Sequence, residues 1–136
     1  MIKVNQIKEQ IKEISDKYNL KLVLLFGSQA SGRRIHKESD IDIAFLPVKK
    51  LSPEEEYFLN YDLTNIFRTD KIDTVNLKNT PPLLMKEIID NCQIIYESEP
   101  MVFDYFDAYV RQRYREAAPL FKLHRESIRR FVGLPK

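Results

Sequence analysis

The sequence predicts an α/β fold in which helices flank a small mixed sheet of about four strands, with a helical extension at the C-terminus. Two observations support this prediction. Helix-like and strand-like patterns alternate through the first 97 or so residues, which is typical of α/β domains. After a short break, apolar residues recur at helical spacing toward the C-terminus.

The first predicted element is an amphipathic helix over Ile2–Tyr18, because isoleucines recur there at helical spacing among charged residues. The apolar run Leu20–Phe26 then predicts a buried strand, which ends in a tight turn at Gly27 and Ser28. The segment Ser28–Arg34 predicts a short helix, since serine is a favourable N-cap, and a polar loop follows it.

The rest of the core repeats this alternation. Ser52, followed by proline and two glutamates, is a strong helix start, and Pro47 ends the strand before it. The predicted elements are, in order, strand Asp40–Leu46, helix Ser52–Phe67, strand Lys71–Leu77, helix Pro81–Asp90 and strand Gln93–Tyr96.

The C-terminal part predicts helix with one interruption. The polar stretch Glu97–Pro100 marks a boundary, so we expect a core over residues 1–98 and a helical extension over residues 99–136. Apolar and aromatic residues mark a helical face in this extension, and Pro119 predicts a break or kink within it.

Composition narrows the classes of function. The chain has 22 basic and 20 acidic residues, so direct binding of nucleic acid is not expected, although the C-terminal stretch is locally basic. The longest apolar run is too short to span a bilayer. A single cysteine, Cys92, excludes an internal disulfide. We therefore expect a cytoplasmic protein without membrane contact.

The most informative residues are two aspartates at the start of the second strand. Alternate residues of a strand point to the same side, so Asp40 and Asp42 project together while Ile41 and Ile43 point into the core. Two carboxylates at such range favour a cation between them, and oxygen ligands suit Mg²⁺ shared with substrate phosphates. The plain alternative is a pair of polar residues at an exposed strand edge.

The Gly27–Ser28 turn supplies features that suit phosphate. Glycine permits close backbone approach, and the N-terminus of a following helix attracts anions. The Ser28 hydroxyl adds a donor, and Arg33 or Arg34 is a candidate for reaching the phosphates. Ser39, which directly precedes the aspartate pair, completes the predicted nucleotide-binding set.

A third carboxylate is needed to activate a nucleophile. Asp73 lies in the next predicted strand, which we expect to neighbour the strand of Asp40 and Asp42. One or two Mg²⁺ ions bridging these acids would neutralise a triphosphate and lower the pKa of an attacking hydroxyl. The alternative for Asp73 is a half-exposed acid near a strand start.

Gly27-Ser28, eleven further residues and then Asp40-Ile41-Asp42 resemble the signature of the DNA polymerase beta-like nucleotidyltransferase superfamily. The fuller strings GSQASGRRIHKESDIDIAF and IDTVNLKNTPPLLMKEIIDNCQIIYE are similar to its minimal nucleotidyltransferase branch, the antitoxin partners of HEPN-domain RNase toxins. The resemblance implies Mg²⁺-dependent transfer of AMP from ATP to a toxin tyrosine, within a hetero-oligomer. By motif match, it also implies that Asp40, Asp42 and Asp73 bind the metal. The chain has Asn76 where members often have aspartate.

Two other functions stay open at this point. The chain can neutralise a toxin by binding and occlusion without catalysis, or it can transfer nucleotides to a small molecule or RNA. Relatives of the second kind generally need additional domains to hold the acceptor, and this chain has little room for one. The spacing from Arg115 to His124 differs from the Arg–His motif of the toxins, so the chain does not resemble the toxin itself.

Overall fold

The computed structural model describes residues 4–27 and 40–132, and the side chains of residues 7–27 and 40–126. Its helices are α1 (Val4–Tyr18), α2 (Pro53–Phe67), α3 (Pro82–Asp90) and α4 (Val102–Val132), and its strands are β1 (Leu20–Phe26), β2 (Ile41–Pro47), β3 (Ile72–Asn76) and β4 (Cys92–Glu97). A 3₁₀ turn over Leu77–Asn79 links β3 to α3.

The four strands form one mixed sheet in the order β3-β2-β1-β4. β1 pairs antiparallel with both β2 and β4, whereas β2 and β3 are parallel. Because parallel neighbours need a crossover, α2 connects β2 to β3. The predicted α/β fold with a small mixed sheet is confirmed, as is the adjacency of β2 and β3.

Both faces of the sheet are covered. On one face, Ile43 and Phe45 pack in a core cluster with residues of α1 and α2, such as Ile11 and Leu59. On the other face, Ala44 belongs to a second cluster built with α3 and α4. The central strand β1 contributes alternate residues to each cluster and therefore reads as a continuous apolar run.

The start of α2 forms as its sequence predicts. The Ser52 hydroxyl accepts a hydrogen bond from the backbone N–H of Glu55, and the Glu55 carboxylate accepts one from the backbone N–H of Ser52. This reciprocal capping box satisfies two donors that the first turn of a helix leaves free. The helix ends at Phe67, and its C-cap residue Arg68 adopts a left-handed conformation at φ 54°.

Two expectations need correction, one lies outside the described residues, and one stays a prediction. Strand β2 begins at Ile41, so Asp40 directly precedes the strand instead of starting it. Helix α4 continues through Pro119, so the predicted break there is wrong, and the kink given as its alternative stays a prediction. The predicted helix over Ser28–Arg34 and the loop after it lie outside the described residues. The division into a core over residues 1–98 and an extension over residues 99–136 stays a prediction.

Within residues 4–27 and 40–132, no helix is both long and apolar enough to cross a membrane.

Candidate active site at the end of strands β1, β2 and β3

A row of four residues crosses the sheet at one end. Cys92 of β4 lies opposite Phe26 of β1, Phe26 lies opposite Asp42 of β2, and Asp42 lies opposite Asp73 of β3. Residues paired across strands direct their side chains to the same face. The row therefore shares the face of α3 and α4, where Phe26 and Cys92 pack against the second core cluster.

Gly27 lies at this end of the sheet, close to the side chain of Asp42. It has a φ of +76°, which side chains other than that of glycine rarely permit, and a Cβ there would overlap the Oδ2 atom of Asp42. The turn after β1 thus needs glycine for two independent reasons. The carboxylate of Asp42 is held against the backbone of the turn.

The charges at this site repel one another. Burial raises the pKa of Asp42 above its ordinary value, and the negative charges of Asp73 and Asp40 raise it further. We call Asp40, Asp42 and Asp73 the sheet-end acids. Asp40 is exposed, and Asp42 is partly buried. A group that binds here is therefore favoured if it brings positive charge.

The structure brings together some of the predicted site residues. Gly27, Asp42 and Asp73 meet at one end of the sheet, and Asp40 lies close enough to affect the charge state of Asp42. The other predicted nucleotide contacts, Ser28, Arg33, Arg34 and Ser39, lie outside the described residues. In the part of the chain that the structure describes, no three potential ligand side chains are gathered as in a ready-made metal site.

The chemistry of the donors nevertheless suits Mg²⁺. This ion binds proteins through one or two carboxylates and keeps waters and substrate phosphates as its other ligands, so a complete protein cage is not required. Asp42 and Asp73 offer two carboxylates from adjacent strand positions, and Asp40 adds a third nearby. All are oxygen ligands, as a hard divalent cation prefers.

Comparison with known proteins identifies the family. Residues 9–101 match the family described as Polymerase beta, Nucleotidyltransferase. The chain belongs to this family. The matched region contains all four strands and the sheet-end acids. A comparison with curated protein sequences found no match.

Solved structures share the fold of this nucleotidyltransferase. One, a toxin–antitoxin complex with AMP-PNP, is 20% identical with a TM-score of 0.76, and the match covers 89% of this chain and 97% of the other. A tri-AMPylated Shewanella oneidensis HEPN toxin in complex with MNT antitoxin gives 18% identity and a TM-score of 0.73, covering 93% and 98% of the two chains.

A third similar structure is the toxin–antitoxin MntA-HpeT with two aspartates, two positions apart, replaced by glutamate. It is 19% identical with a TM-score of 0.74, and the match covers 89% of this chain and 97% of that one. At these levels of identity, the likenesses show that the nucleotidyltransferase chain has the same fold as the matched chains.

Asn76 has a structural task in this nucleotidyltransferase. Its side-chain oxygen accepts a hydrogen bond of 2.9 Å from the backbone N–H of Lys78, and its amide donates one of 2.7 Å to Glu56. It therefore caps the 3₁₀ turn after β3 and ties that turn to α2. Asn76 and Asp73 are three positions apart in a strand, so their side chains leave opposite faces.

Sequence reasoning missed a second group of charges near the same row. Arg111 of α4 donates hydrogen bonds to Asp107 at 2.8 Å and to Asp90 of α3 at 2.9 Å. Lys86 donates to Asp90 at 2.7 Å. We call Lys86, Asp90, Asp107 and Arg111 the α3–α4 network. The i,i+4 spacing of two of its pairs is visible in the sequence, but the link between the helices is not.

Proposed function

We propose that this chain is an antitoxin that transfers AMP from ATP to a tyrosine of a HEPN-domain toxin in a Mg²⁺-dependent reaction. The observation that carries the proposal is the pairing of Asp42 with Asp73 at the end of the sheet, directly beside Gly27. Family membership supports nucleotidyl transfer as the reaction. The shared fold with a complex of a tri-AMPylated HEPN toxin and MNT antitoxin supports a toxin as the acceptor.

In this proposal the sheet-end acids hold Mg²⁺ together with the triphosphate of ATP. When bound, the ion would neutralise charge on the phosphates and lower the pKa of the attacking hydroxyl. Asp42, fixed against Gly27, sets the position of the nucleotide relative to the sheet. We assign contacts with the phosphates to Gly27, Ser28, Arg33 and Ser39.

The reaction is a single displacement at phosphorus. The tyrosine oxygen bonds to the α-phosphorus of ATP, the bond from that phosphorus to the bridging oxygen breaks, and pyrophosphate leaves. Asp73, beside Asp42 on the edge strand, accepts the proton of the tyrosine hydroxyl. The enzyme forms no covalent intermediate, so its contribution is position and charge.

The partner completes the site. β3 is an edge strand, so the end of the sheet that carries Asp73 is open on one side. We therefore assign the acceptor tyrosine to a HEPN toxin bound in a hetero-oligomer. This partner matches the complexes in which similar folds occur.

The deciding experiment is intact mass spectrometry of the product of the neighbouring gene, after incubation with the chain, ATP and Mg²⁺. We expect mass increases of one or more AMP units. The Asp42→Asn variant should give none, whereas Asp90→Asn, a matched change in an acid of the α3–α4 network, should behave like the wild type. Titration with Mg²⁺–AMP-PNP measures nucleotide binding in the absence of a toxin.

Two results would contradict the proposal. If the two proteins co-elute but the mass of the toxin does not change, neutralisation is by occlusion. If neither co-elution nor a mass change occurs while Mg²⁺–AMP-PNP still binds, the acceptor is a different molecule.

A further inference from the structure

Strand β3, which carries Asp73, is supported by the sheet on one side only. It lies at the edge of the sheet and pairs with β2. Its alternate residues lie on opposite faces: Ile72 belongs to the core cluster with α2, whereas Val75 packs with the cluster of α3 and α4. Asp73 shares the face of Val75. The position of its carboxylate therefore depends on how firmly the backbone of this edge strand is held.

One backbone carbonyl next to Asp73 points toward the open edge. The C=O of Lys71 accepts a hydrogen bond of 2.8 Å from the N–H of Ile41, so it points toward β2. Carbonyls alternate in direction along a strand, and the C=O of Ile72 therefore points away from β2. In the described sheet no strand lies on that side. This carbonyl needs a donor from elsewhere in the chain.

Asn60 of α2 supplies that donor. Its side-chain amide donates a hydrogen bond of 3.3 Å to the C=O of Ile72 and another of 3.4 Å to the hydroxyl of Thr74. An asparagine amide has two N–H donors, so both bonds can form together. The two contacts are made to the residues directly before and directly after Asp73. Both bonds are long, so we expect moderate effects from the loss of either one.

A second contact holds the other end of the strand. Glu56 lies four positions before Asn60 and therefore on the same side of α2. It accepts a hydrogen bond of 2.7 Å from the side-chain amide of Asn76. Polar side chains of α2 thus contact β3 along its length, from the face opposite to the one that carries its sheet-end acid.

We propose that Asn60 is a positioning residue for Asp73. It takes the place of a neighbouring strand, fixes the β3 backbone on both sides of this acid and so holds the carboxylate beside Asp42. The inference rests on the proposed function, in which Asp73 accepts the proton of the acceptor hydroxyl. Proton transfer depends steeply on position, and a displacement of about 1 Å can lower a rate about 100-fold.

The test compares Asn60→Ala with Tyr18→Phe. The Tyr18 hydroxyl donates a hydrogen bond of 2.7 Å to Asp62, so this control removes a contact between α1 and α2 instead of one between α2 and β3. Both variants should lower the melting temperature by about 2 to 5 °C, since each loses hydrogen bonds of α2.

The kinetic effects should differ between the two variants. Only Asn60→Ala should lower kcat for AMP transfer, by about 10-fold to 30-fold. Its dissociation constant for Mg²⁺–AMP-PNP should change by less than about 3-fold, because Asp42 and Gly27 keep their places. A loss of stability alone would not separate kcat from nucleotide binding in this way.

Hydrogen exchange of the free protein gives a readout that needs neither nucleotide nor toxin. The N–H of Asp73 points toward β2, as the C=O of Lys71 does. Asn60→Ala should speed its exchange about 10-fold, whereas the amides of β1 should exchange as they do in Tyr18→Phe.

Thr74→Val removes the acceptor hydroxyl with little change of shape. It should change the exchange of Asp73 and kcat by about 3-fold, because the bond from Asn60 to Ile72 remains. In the double variant with Asn60→Ala the losses should be no greater than in Asn60→Ala alone, since the hydroxyl then has no amide to accept from.

Three outcomes would overturn the proposal: unchanged exchange of Asp73 in Asn60→Ala, an equal loss of kcat in Tyr18→Phe, and additive losses in the double variant. If Asn60→Ala does not fold, Thr74→Val decides, and its failure to speed the exchange of Asp73 would overturn the proposal. A wild type that binds Mg²⁺–AMP-PNP but transfers no AMP contradicts the proposed function instead. The exchange rates then still decide whether Asn60 holds β3.

Discussion

Two groups of aspartates lie on the same side of the sheet, and their surroundings shift the pKa values of Asp42 and Asp90 in opposite directions. Among the sheet-end acids, burial and the neighbouring negative charges of Asp73 and Asp40 raise the pKa of Asp42. In the α3–α4 network, hydrogen bonds from Lys86 and then from Arg111 lower the pKa of Asp90. In the first group, neighbouring carboxylates disfavour the ionised form of Asp42. In the second group, Lys86 and Arg111 favour the ionised form of Asp90.

Asp42 has the surroundings expected of an acid that binds a cationic ligand, whereas Asp90 links α3 to α4 through ion pairs. Evolution can satisfy a carboxylate with a nearby lysine or arginine at little structural cost, as it does for Asp90. Asp42 is instead surrounded by further carboxylates at the end of the sheet, an arrangement typical of functional sites. Their environment therefore supports the proposal that the sheet-end acids are functional, independently of any motif.

The largest expected effect is on AMP transfer. Asp42→Asn should lower the rate of toxin modification by about 1,000-fold or more, because under the proposed function it removes a charge that would position the metal and the phosphates. Asp90→Asn should lower the rate by less than about 3-fold, since that carboxylate forms ion pairs with Lys86 and Arg111 and is not one of the sheet-end acids. Single-turnover kinetics with intact mass detection measures both rates. Equal losses in the two variants would remove the distinction between the groups.

The next effect tests the contact between Gly27 and Asp42. Gly27→Ala should reduce transfer by at least about 100-fold, because the new methyl group displaces the Asp42 carboxylate and strains the turn. The control is Asn19→Ala at the other end of β1, where φ is also positive at 54° but the residue is not part of the site. That variant should lose stability by about 1 kcal/mol and keep full transfer activity. Full activity of Gly27→Ala would contradict the proposed geometry.

A third prediction concerns Cys92, which lies in the same row of the sheet as Asp42. Burial, and then the charges of Asp107 and Asp90, raise the pKa of this thiol to about 11. At pH 7.5 the native protein should therefore react with iodoacetamide about 100-fold more slowly than the unfolded chain. Asp107→Asn should speed the reaction about 2-fold to 3-fold by removing one nearby negative charge. Rapid labelling of the native protein would contradict the raised pKa of the Cys92 thiol.

The smallest effects are on stability, and they should have opposite signs. In the presence of EDTA at pH 7, Asp42→Asn should raise the melting temperature by a few degrees, since it removes a partly buried charge among like charges. Asp90→Asn should lower it by about 1 to 3 °C, because it removes exposed ion pairs of small value. Differential scanning calorimetry of the two variants beside the wild type measures both shifts. Shifts of the same sign would contradict the contrast in environment.

The contribution of Asp90 to the stability of the fold should depend on pH. The pKa of Asp90 is lower in the folded state than its ordinary value of 3.8, so its ionised form stabilises the fold above that pH. This stabilisation is lost as the pH falls through the lowered value and Asp90 takes up a proton. The difference in melting temperature between the wild type and Asp90→Asn should therefore persist at pH 7 and at pH 5, begin to shrink only below about pH 4, and disappear once the pH is below the lowered pKa of Asp90.

Much of the fold could be predicted because local signals agree with it. β1 has the predicted bounds Leu20–Phe26, since an apolar run of this length fits a strand buried on both faces. α2 follows its capping box, and α3 follows its starting prolines. The break predicted at Pro119 is wrong because a proline costs one backbone hydrogen bond and some steric strain, and a long helix with an apolar inner face can absorb that loss.

The arrangement of the acids could be predicted only in part. Alternation in a strand placed Asp42 opposite the core residues Ile41 and Ile43, and the next strand was expected beside it. The parallel direction of β3 and the pairing of Asp42 with Asp73 depend on contacts far apart in sequence. The overlap of a Gly27 Cβ with Asp42 also requires three-dimensional positions, since no local pattern reports the distance between the end of one strand and the start of another.

The two paired aspartates of β2 and β3 are far apart in the chain, so they are synthesised at different times. Asp42 leaves the peptidyl-transferase centre of the ribosome 31 residues before its partner Asp73, which corresponds to about 2 to 6 s at ordinary elongation rates. Throughout that interval the nascent chain carries two of its acids and lacks the third. The complete set of carboxylates arises only after the crossover helix α2 has been made.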